Sequence, residues 1–315
     1  MKTAAICIAT YQRPEGVIRL LEALVHQAPA DGWEIEVRVV NNDAGAIGTD
    51  WAEPMARAYP GARFEEDPRR NIAHARNTAI AMGPADAFLF IDDDEVPVTG
   101  WAAALLERLD DADAVFGPVM GRVPGETAGW LVRAGVFDKP GPDHDRDIDW
   151  RLSRTSSTAV RSEWFGPGNG WFDPEYGTSG GSDVEFFRRI YRDGARFVHE
   201  RRALVYEDVE ADRCNWRAVA RRRYRAGAVL GRMDRAGSKL TRTFRLAKRV
   251  LAGAAVAVGG VPAFASGDPG QMFQGLCRAI VGIGAWRGHN TSYRVTRYPA
   301  KNNRIAEVTP CVSPC

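Results

Sequence analysis

Four consecutive acids, Asp92-Asp93-Asp94-Glu95, follow directly on the apolar run Ala87–Ile91. Alternate side chains of an extended segment point the same way, so Asp92 and Asp94 are placed to face one pocket. Two carboxylates sharing a pocket repel unless a proton or cation intervenes. Mg²⁺ or Mn²⁺ is the economical partner, since hard ions take oxygen ligands and are commonly held by one or two carboxylates plus substrate phosphates. The same acids also suit a plainer use, supplying negative charge to the start of the following helix. A second candidate is Asn71-Ile72-Ala73-His74-Ala75-Arg76-Asn77, where the Arg76 guanidinium suits a phosphate or a base edge, or a surface pair with an acid such as Glu66; His74 reads as structural. A third is Ser179-Gly180-Gly181-Ser182-Asp183. Its glycines let the backbone approach a ligand, and Asp183 falls in the first turn of a helix, as a general base toward an acceptor hydroxyl or, with Ser182, as an N-cap.

Such groups need a scaffold that brings them together. Ala4–Ala9 and Glu34–Val40 read as strands, and between them Pro14 opens a helix whose Val17, Leu20, Leu21, Leu24 and Val25 form one apolar stripe. A turn at Asn41 to Gly45, a helix near Asp50–Ala58, a strand at Ala62–Phe64, a helix at Ile72–Ala81 and the strand Ala87–Ile91 follow. Alternation of this kind predicts an α/β fold with a mostly parallel central sheet flanked by helices. Ligands of such sheets sit beyond the carboxyl ends of the strands, where Thr10-Tyr11, Asn41 to Asp43 and Asp92 to Glu95 lie. After a strand at Asp113–Phe116, the Gly-, Pro- and Asp-rich stretch 121–150 reads as a long loop over the site. Ser157–Val160, Arg196–Val198 and Ala203–Tyr206 are further strands, with a helix at Ser182–Arg192.

The 315 residues, 45% apolar and 26% charged, exclude a disordered or fibrous chain and accommodate one large domain with a helical extension. Five cysteines without a CxxC pair suggest neither a disulfide framework nor a zinc site, and fit a reducing cytosol. The opening Met1–Thr10 reads as a buried strand rather than a signal peptide. No stretch reaches the ~20 apolar residues of a spanning helix.

The segments together resemble the family 2 glycosyltransferases of the GT-A fold. Ile8-Ala9-Thr10-Tyr11-Gln12-Arg13-Pro14 is similar to the family's opening strand, Val39 to Asp43 to its second strand end, Asn71 to Asn77 to its Ala-Arg-Asn helix, Phe90 to Glu95 to its DXD motif and Gly180-Gly181-Ser182-Asp183 to its Gly-Gly-Glu-Asp signature. The likeness extends to bacterial succinoglycan-type exopolysaccharide glucosyltransferases through Glu207-Asp208-Val209 and Arg221 to Gly227, and covers residues 3 to 230. It implies an inverting transfer of a hexose from a nucleoside diphosphate sugar, with a UDP-sugar favoured, to a hydroxyl of a saccharide acceptor. On it, Thr10, Tyr11, Arg13, Asn41, Asp43, Arg76, Asp92 and Asp93 bind the donor, Asp94 and Asp92 hold the metal with His199 or Glu207 as a further ligand, and Asp183 takes the acceptor's proton. Two positions depart from the pattern: Asn41 stands where an Asp is common, and Ser182 where a Glu precedes the catalytic Asp. Trp101, the 121–150 loop and 164–171 are the expected acceptor contacts.

Between Arg213 and Arg249 thirteen Lys and Arg face one acid, Asp234. That local charge of +12 leaves twenty-nine basic against thirty-nine acidic residues, or −10, on the rest of the chain, so the overall +2 is a cancellation. Interleaved Trp216, Val219, Tyr224 and Leu230 make this region amphipathic, which suits an anionic lipid surface or a solvated basic face that balances the acidic remainder; no nucleic-acid module is seen. The expectation is a GT-A catalytic domain over 1–211 and a basic helical region over 212–315, packed on it and facing the membrane. The activity expected is that of a cytoplasmic enzyme peripheral to the inner face of the plasma membrane, extending a lipid-linked saccharide in polysaccharide assembly. A soluble small-molecule acceptor, a nucleotidyltransferase and a non-catalytic sugar-nucleotide-binding protein are the alternatives.

Overall fold

The computed structural model describes residues 1–43, 52–166, 171–234 and 269–290, with scattered helical positions between 243 and 258. β1 (Lys2–Thr10) is buried from Ala4 to Ile8, the continuous apolar run of a strand covered on both faces. It pairs in parallel with β2 (Trp33–Asn41), and the register sets Thr10 beside Asn41. On its other side it pairs in parallel with β4 (Ala87–Phe90), Cys7 opposite Phe90. The same offset carried three residues further brings Thr10 opposite Asp93. α1 (Pro14–Leu24) buries Val17, Leu20, Leu21 and Leu24. Its Gly16 approaches the acidic turn so closely that a Cβ there would lie 2.5 Å from the Asp93 carbonyl oxygen.

α2 (Ala52–Ala58), β3 (Arg63–Glu66) and α3 (Ile72–Ala81) complete the first half. The chain continues through β5 (Glu95–Pro97), α4 (Trp101–Arg108), β6 (Ala114–Phe116), β7 (Val119–Arg122), α5 (Gly129–Arg133), β8 (Arg146–Asp147) and β9 (Thr158–Arg161). α6 (Pro174–Gly177), α7 (Ser182–Arg192), β10 (Phe197–His199), β11 (Val205–Asp208), α8 (Trp216–Met233) and a final helix, α9 (Gly270–Asn290), follow. The main sheet runs β3-β2-β1-β4-β9-β6-β10-β8. Its first four strands are parallel; β9 runs antiparallel to both β4 and β6, and β8 antiparallel to β10. A small sheet, β5-β11-β7, crosses beside the acidic turn and sets Glu207 opposite Glu95.

The stretch 121–150 is more than a loop. It carries the end of β7, then α5 and β8, and its Leu131, Val136 and Phe137 are buried against Val219 of α8 and Phe273 of α9. Trp101 departs from its expected place as well: it is fully buried, with its indole N–H donating to Ser157 Oγ at 3.0 Å, so it is a core residue and no acceptor contact.

α8 and α9 lie against each other through four glycines. A Cβ on Gly227, Gly231, Gly284 or Gly288 would fall 2.1–2.2 Å from a carbonyl oxygen of the facing helix, those of Val281, Ala285, Tyr224 and Ala228 respectively. Residues four apart share a helix face, so each helix offers two notches and the backbones interlock. α8 also packs on the front of the molecule. Gly181, at φ +100°, lies against Val229; Arg232 donates to Ser179 Oγ at 3.0 Å; Arg188 pairs with Asp234 at 2.5 Å. Among the described residues, no helix is long and apolar enough to cross a membrane.

Candidate active site

At the carboxyl ends of β1, β2 and β4 the predicted polar groups meet. The acids after β4 form a turn closed by the Glu95 N–H donating to the Asp92 carbonyl at 3.1 Å. This turn, rather than strand alternation, leaves Asp92 and Asp94 half-buried while Asp93 and Glu95 go inward. Asp93 is gripped by the Thr10 hydroxyl at 2.8 Å and by Arg13 at 3.0 Å. It therefore ties β1 and α1 to the turn rather than facing open space. Arg13 also reaches Asp94 at 2.8 Å and Glu210 at 2.9 Å. Asp92, the most exposed of the three aspartates, accepts from Arg76 and from Ser156 Oγ, both at 3.3 Å.

Arg76 is held for this contact. α3 is capped by Asn71, whose side chain accepts from the Ala73 and His74 N–H groups, so the helix starts one turn before Arg76. The guanidinium then lies buried over the Phe172 ring at 5.7 Å, and Asn77 exchanges two hydrogen bonds with the Phe172 backbone at 2.9 and 3.0 Å. The Arg76 partner is thus Asp92 and not Glu66.

Asn41 is fully buried and its amide shapes the following turn, bonding the Asp43 backbone at both its N–H and its carbonyl. Asp43 accepts from Gln12 at 2.7 Å and pairs with Arg70 at 3.2 Å. Gln12 and Arg70 both have positive φ, 56° and 45°, a costly conformation for side-chain-bearing residues that gathers at functional sites. Tyr11 stands half-buried at the same strand end.

Charge in the acidic turn is only partly balanced. Burial, then the neighbouring Asp92 charge, push the Asp94 carboxyl up to about 6 against the pull of Arg13. Glu95 is driven well above the usual carboxylate range by burial and Asp92. Glu207 behaves oppositely: burial alone would raise it, but Lys139 at 2.7 Å and Arg213 at 3.0 Å hold it low. Arg213 also reaches Asp94 at 3.3 Å, so it bridges the two acids. His199 does not join this group. Its ring lies against Gly141, and burial, then Arg154, depress it to about 4. Among the described residues, no three His, Cys, Asp or Glu side chains gather into a metal-holding set.

Asp183 lies in the first turn of α7, behind Gly180 and Gly181 at φ +82° and +100°, a conformation that favours glycine. Among the described residues no hydrogen bond or ion pair engages its carboxylate. The Ser182 hydroxyl beside it is buried without a hydrogen-bond partner.

The family model for glycosyl transferase family 2 matches residues 5–161. The chain is also 31% identical, over 239 residues, to the succinoglycan biosynthesis protein ExoM of Rhizobium meliloti (strain 1021), an alignment covering 72% of this chain and 74% of the relative. The chain belongs to glycosyltransferase family 2. Its α/β fold, with the mostly parallel sheet flanked by helices, is that of the GT-A members, and the family match ends at β9, the antiparallel strand beside β4.

Several residues of this glycosyltransferase site escaped the sequence reading. Gln12 and Arg70 brace Asp43; Lys139 and Arg213 neutralise Glu207. Arg154 is half-buried, donating to the Gly117 and Lys139 carbonyls at 2.7 and 3.2 Å. Desolvation lowers it to about 10 against the fields of Glu95, Asp183 and Glu207. A lone Arg or Lys in a polar stretch carries no periodic signal, and Arg213 was visible only as one of many basic residues.

Proposed function

We propose that this glycosyltransferase performs an inverting transfer of a hexose from a nucleoside diphosphate sugar, UDP-linked, to a hydroxyl of a lipid-linked saccharide in exopolysaccharide assembly. The observation that carries the reading is the pairing of a half-buried, under-compensated Asp92–Asp94 turn with an Asp183 carboxylate that, among the described residues, accepts no hydrogen bond and joins no ion pair. The printed name of the ExoM relative supports the exopolysaccharide setting.

In a single displacement the acceptor oxygen attacks the anomeric carbon as the bond from that carbon to the diphosphate oxygen breaks. Asp183 takes the hydroxyl proton, and the nucleoside diphosphate leaves with the bonding pair. Thr10, Tyr11, Asn41, Asp43 and Arg76 surround the donor's nucleoside end, with Arg13 and Asp93 fixing the turn. Asp92 and Asp94, two residues apart and half-buried at the end of β4, would hold Mg²⁺ or Mn²⁺ as its two carboxylates: burial, then the Asp92 charge, raises Asp94, and a hard cation would relieve both. Such an ion would supply charge neutralisation at the leaving diphosphate. Glu207 is held by Lys139 and Arg213, and the His199 ring lies against Gly141, so the two aspartates are the ligands of this reading.

The catalytic region is read as 1–211 and the basic helices as the side that meets an anionic membrane from the cytoplasm. Leu276, Ile283 and Trp286 of α9 support this: they are half-exposed and recur near one face of the helix.

A screen of sugar nucleotides with Mg²⁺ and Mn²⁺, reading nucleoside diphosphate release, tests the reaction. UDP release dependent on a divalent ion, abolished in Asp94→Ala, is expected. Pyrophosphate release would indicate nucleotidyl transfer instead, and full turnover by Asp183→Asn would overturn the proton-transfer role.

A further inference from the structure

A cavity of about 660 Å³ opens where α8 begins, lined by Arg213, Arg221, Arg222 and Arg225 and walled on its apolar side by Val219 and by Ile280 of α9. Asp212 is the one acid among its described lining residues. Four guanidinium groups converge on one cavity; Asp94 and Glu207 pair with Arg213 from the active-site side, and like charges gathered this closely favour an anion among them. The effect is visible at Arg222, which burial and then the charges of Arg223, Arg213 and Arg225 press below its ordinary range while Glu207 pulls the other way. Guanidinium forks match phosphate oxygens in pairs, so the fitting ligand is a phosphate or diphosphate.

Two features say which phosphate. The cavity touches the candidate active site through Arg213, which lines it and also reaches Asp94 and Glu207. An anion bound here therefore sits one side chain away from the acidic turn, yet outside the ring of residues at the ends of β1, β2 and β4. The Val219 and Ile280 wall continues toward the exposed Leu276 and Ile283 of α9. A nucleotide has no use for that surface, whereas a hydrocarbon chain attached to the phosphate does.

We infer that this cavity binds the phosphate or diphosphate group through which the acceptor saccharide is joined to its lipid. The inference rests on the reading of the protein as a glycosyltransferase of lipid-linked acceptors. Arg213 bonds Asp94 and Glu207 and Arg222 donates to the Val136 carbonyl, so Arg221 and Arg225, one helical turn apart on α8, are the pair to substitute.

The test uses the full chain and three probes in calorimetric titrations: geranyl diphosphate, inorganic pyrophosphate and UDP. In Arg221→Ala/Arg225→Ala the affinity for geranyl diphosphate is expected to fall at least tenfold, with pyrophosphate weakened alongside and UDP within twofold of wild type. Arg221→Lys/Arg225→Lys, which keeps the charge, should recover most of the loss, and an unchanged melting profile certifies the fold. Equal geranyl diphosphate binding in wild type and alanine variant overturns the inference, as does a parallel loss of UDP, which would give the cavity to the donor. Loss of binding to phosphatidylglycerol vesicles with geranyl diphosphate unaffected would also overturn it, leaving only a charged surface. Should wild-type protein bind no UDP while the geranyl diphosphate difference persists, the donor reading fails and the anion site stands.

Discussion

Asp183 and His199 are two titratable groups whose surroundings lead to opposite expectations. The Asp183 carboxylate, presented by a helix start and in no hydrogen bond or ion pair among the described residues, is available to accept a proton. Asp183→Asn should lower kcat by about 10²- to 10⁴-fold, the range lost with a general base, while donor affinity measured by titration stays near wild type. His199 is closed off: buried, with no hydrogen-bond partner on either ring nitrogen among the described residues, and depressed to about 4 from its ordinary 6.5. The folded protein keeps this ring neutral while the unfolded chain takes up a proton below 6.5, so stability falls as pH drops from 6.5 toward 4 and levels off beneath that. Urea midpoints recorded across this window should show the slope, and His199→Gln should flatten it. Sequence reading placed the acidic turn, Arg76 and Asp183 correctly in the fold because each follows a strong local signal. It misplaced Trp101 and grouped His199 with the metal candidates, since nothing in the residue type says whether a Trp or His faces a cleft or a core.

Elements with their own caps were legible to the residue. α3 runs Ile72–Ala81 behind Asn71, and α7 runs Ser182–Arg192 behind Gly181, as their sequences predict. Elements defined by distant partners were not. Leu131, Val136 and Phe137 lie in a stretch rich in Gly and Pro, and only Val219 and Phe273, more than eighty residues on, turn them into a buried cluster. The direction of β9 is likewise set by β4 and β6, not by its own composition. The glycine notches of α8 and α9 belong to this class: Gly227 and Gly231 look like weak helix positions until a second helix is laid against them. Gly231→Ala should cost about 1–3 kcal/mol, the usual penalty of overpacking, read as a lowered melting temperature. An alanine at the solvent-facing Ala226 side of the same helix offers no such contact, so Ala226→Ser should melt as wild type does.

Across the whole molecule, the division into an acidic front and a basic back is less complete than composition implies. Arg213 pairs with Asp94 and Glu207, Arg222 donates to the Val136 carbonyl at 2.8 Å, and Arg232 holds Ser179. Part of the basic charge therefore works inward, and the surface left for lipid is smaller than thirteen residues. Binding to phosphatidylglycerol vesicles in flotation should weaken with salt, and Ile283→Ser/Trp286→Ser should reduce it further at constant charge; flotation unaffected by both would remove the membrane role. The contact of Gly181 with Val229, and of Arg213 with Asp94, has a practical consequence for dissecting this enzyme. A truncation at 211 would take away a counter-charge of Asp94 and the support beneath the loop that leads into Asp183, so the helices beyond it are no detachable appendage. Any recombination that exchanges the front for a different donor specificity must carry α8 and α9 along with it.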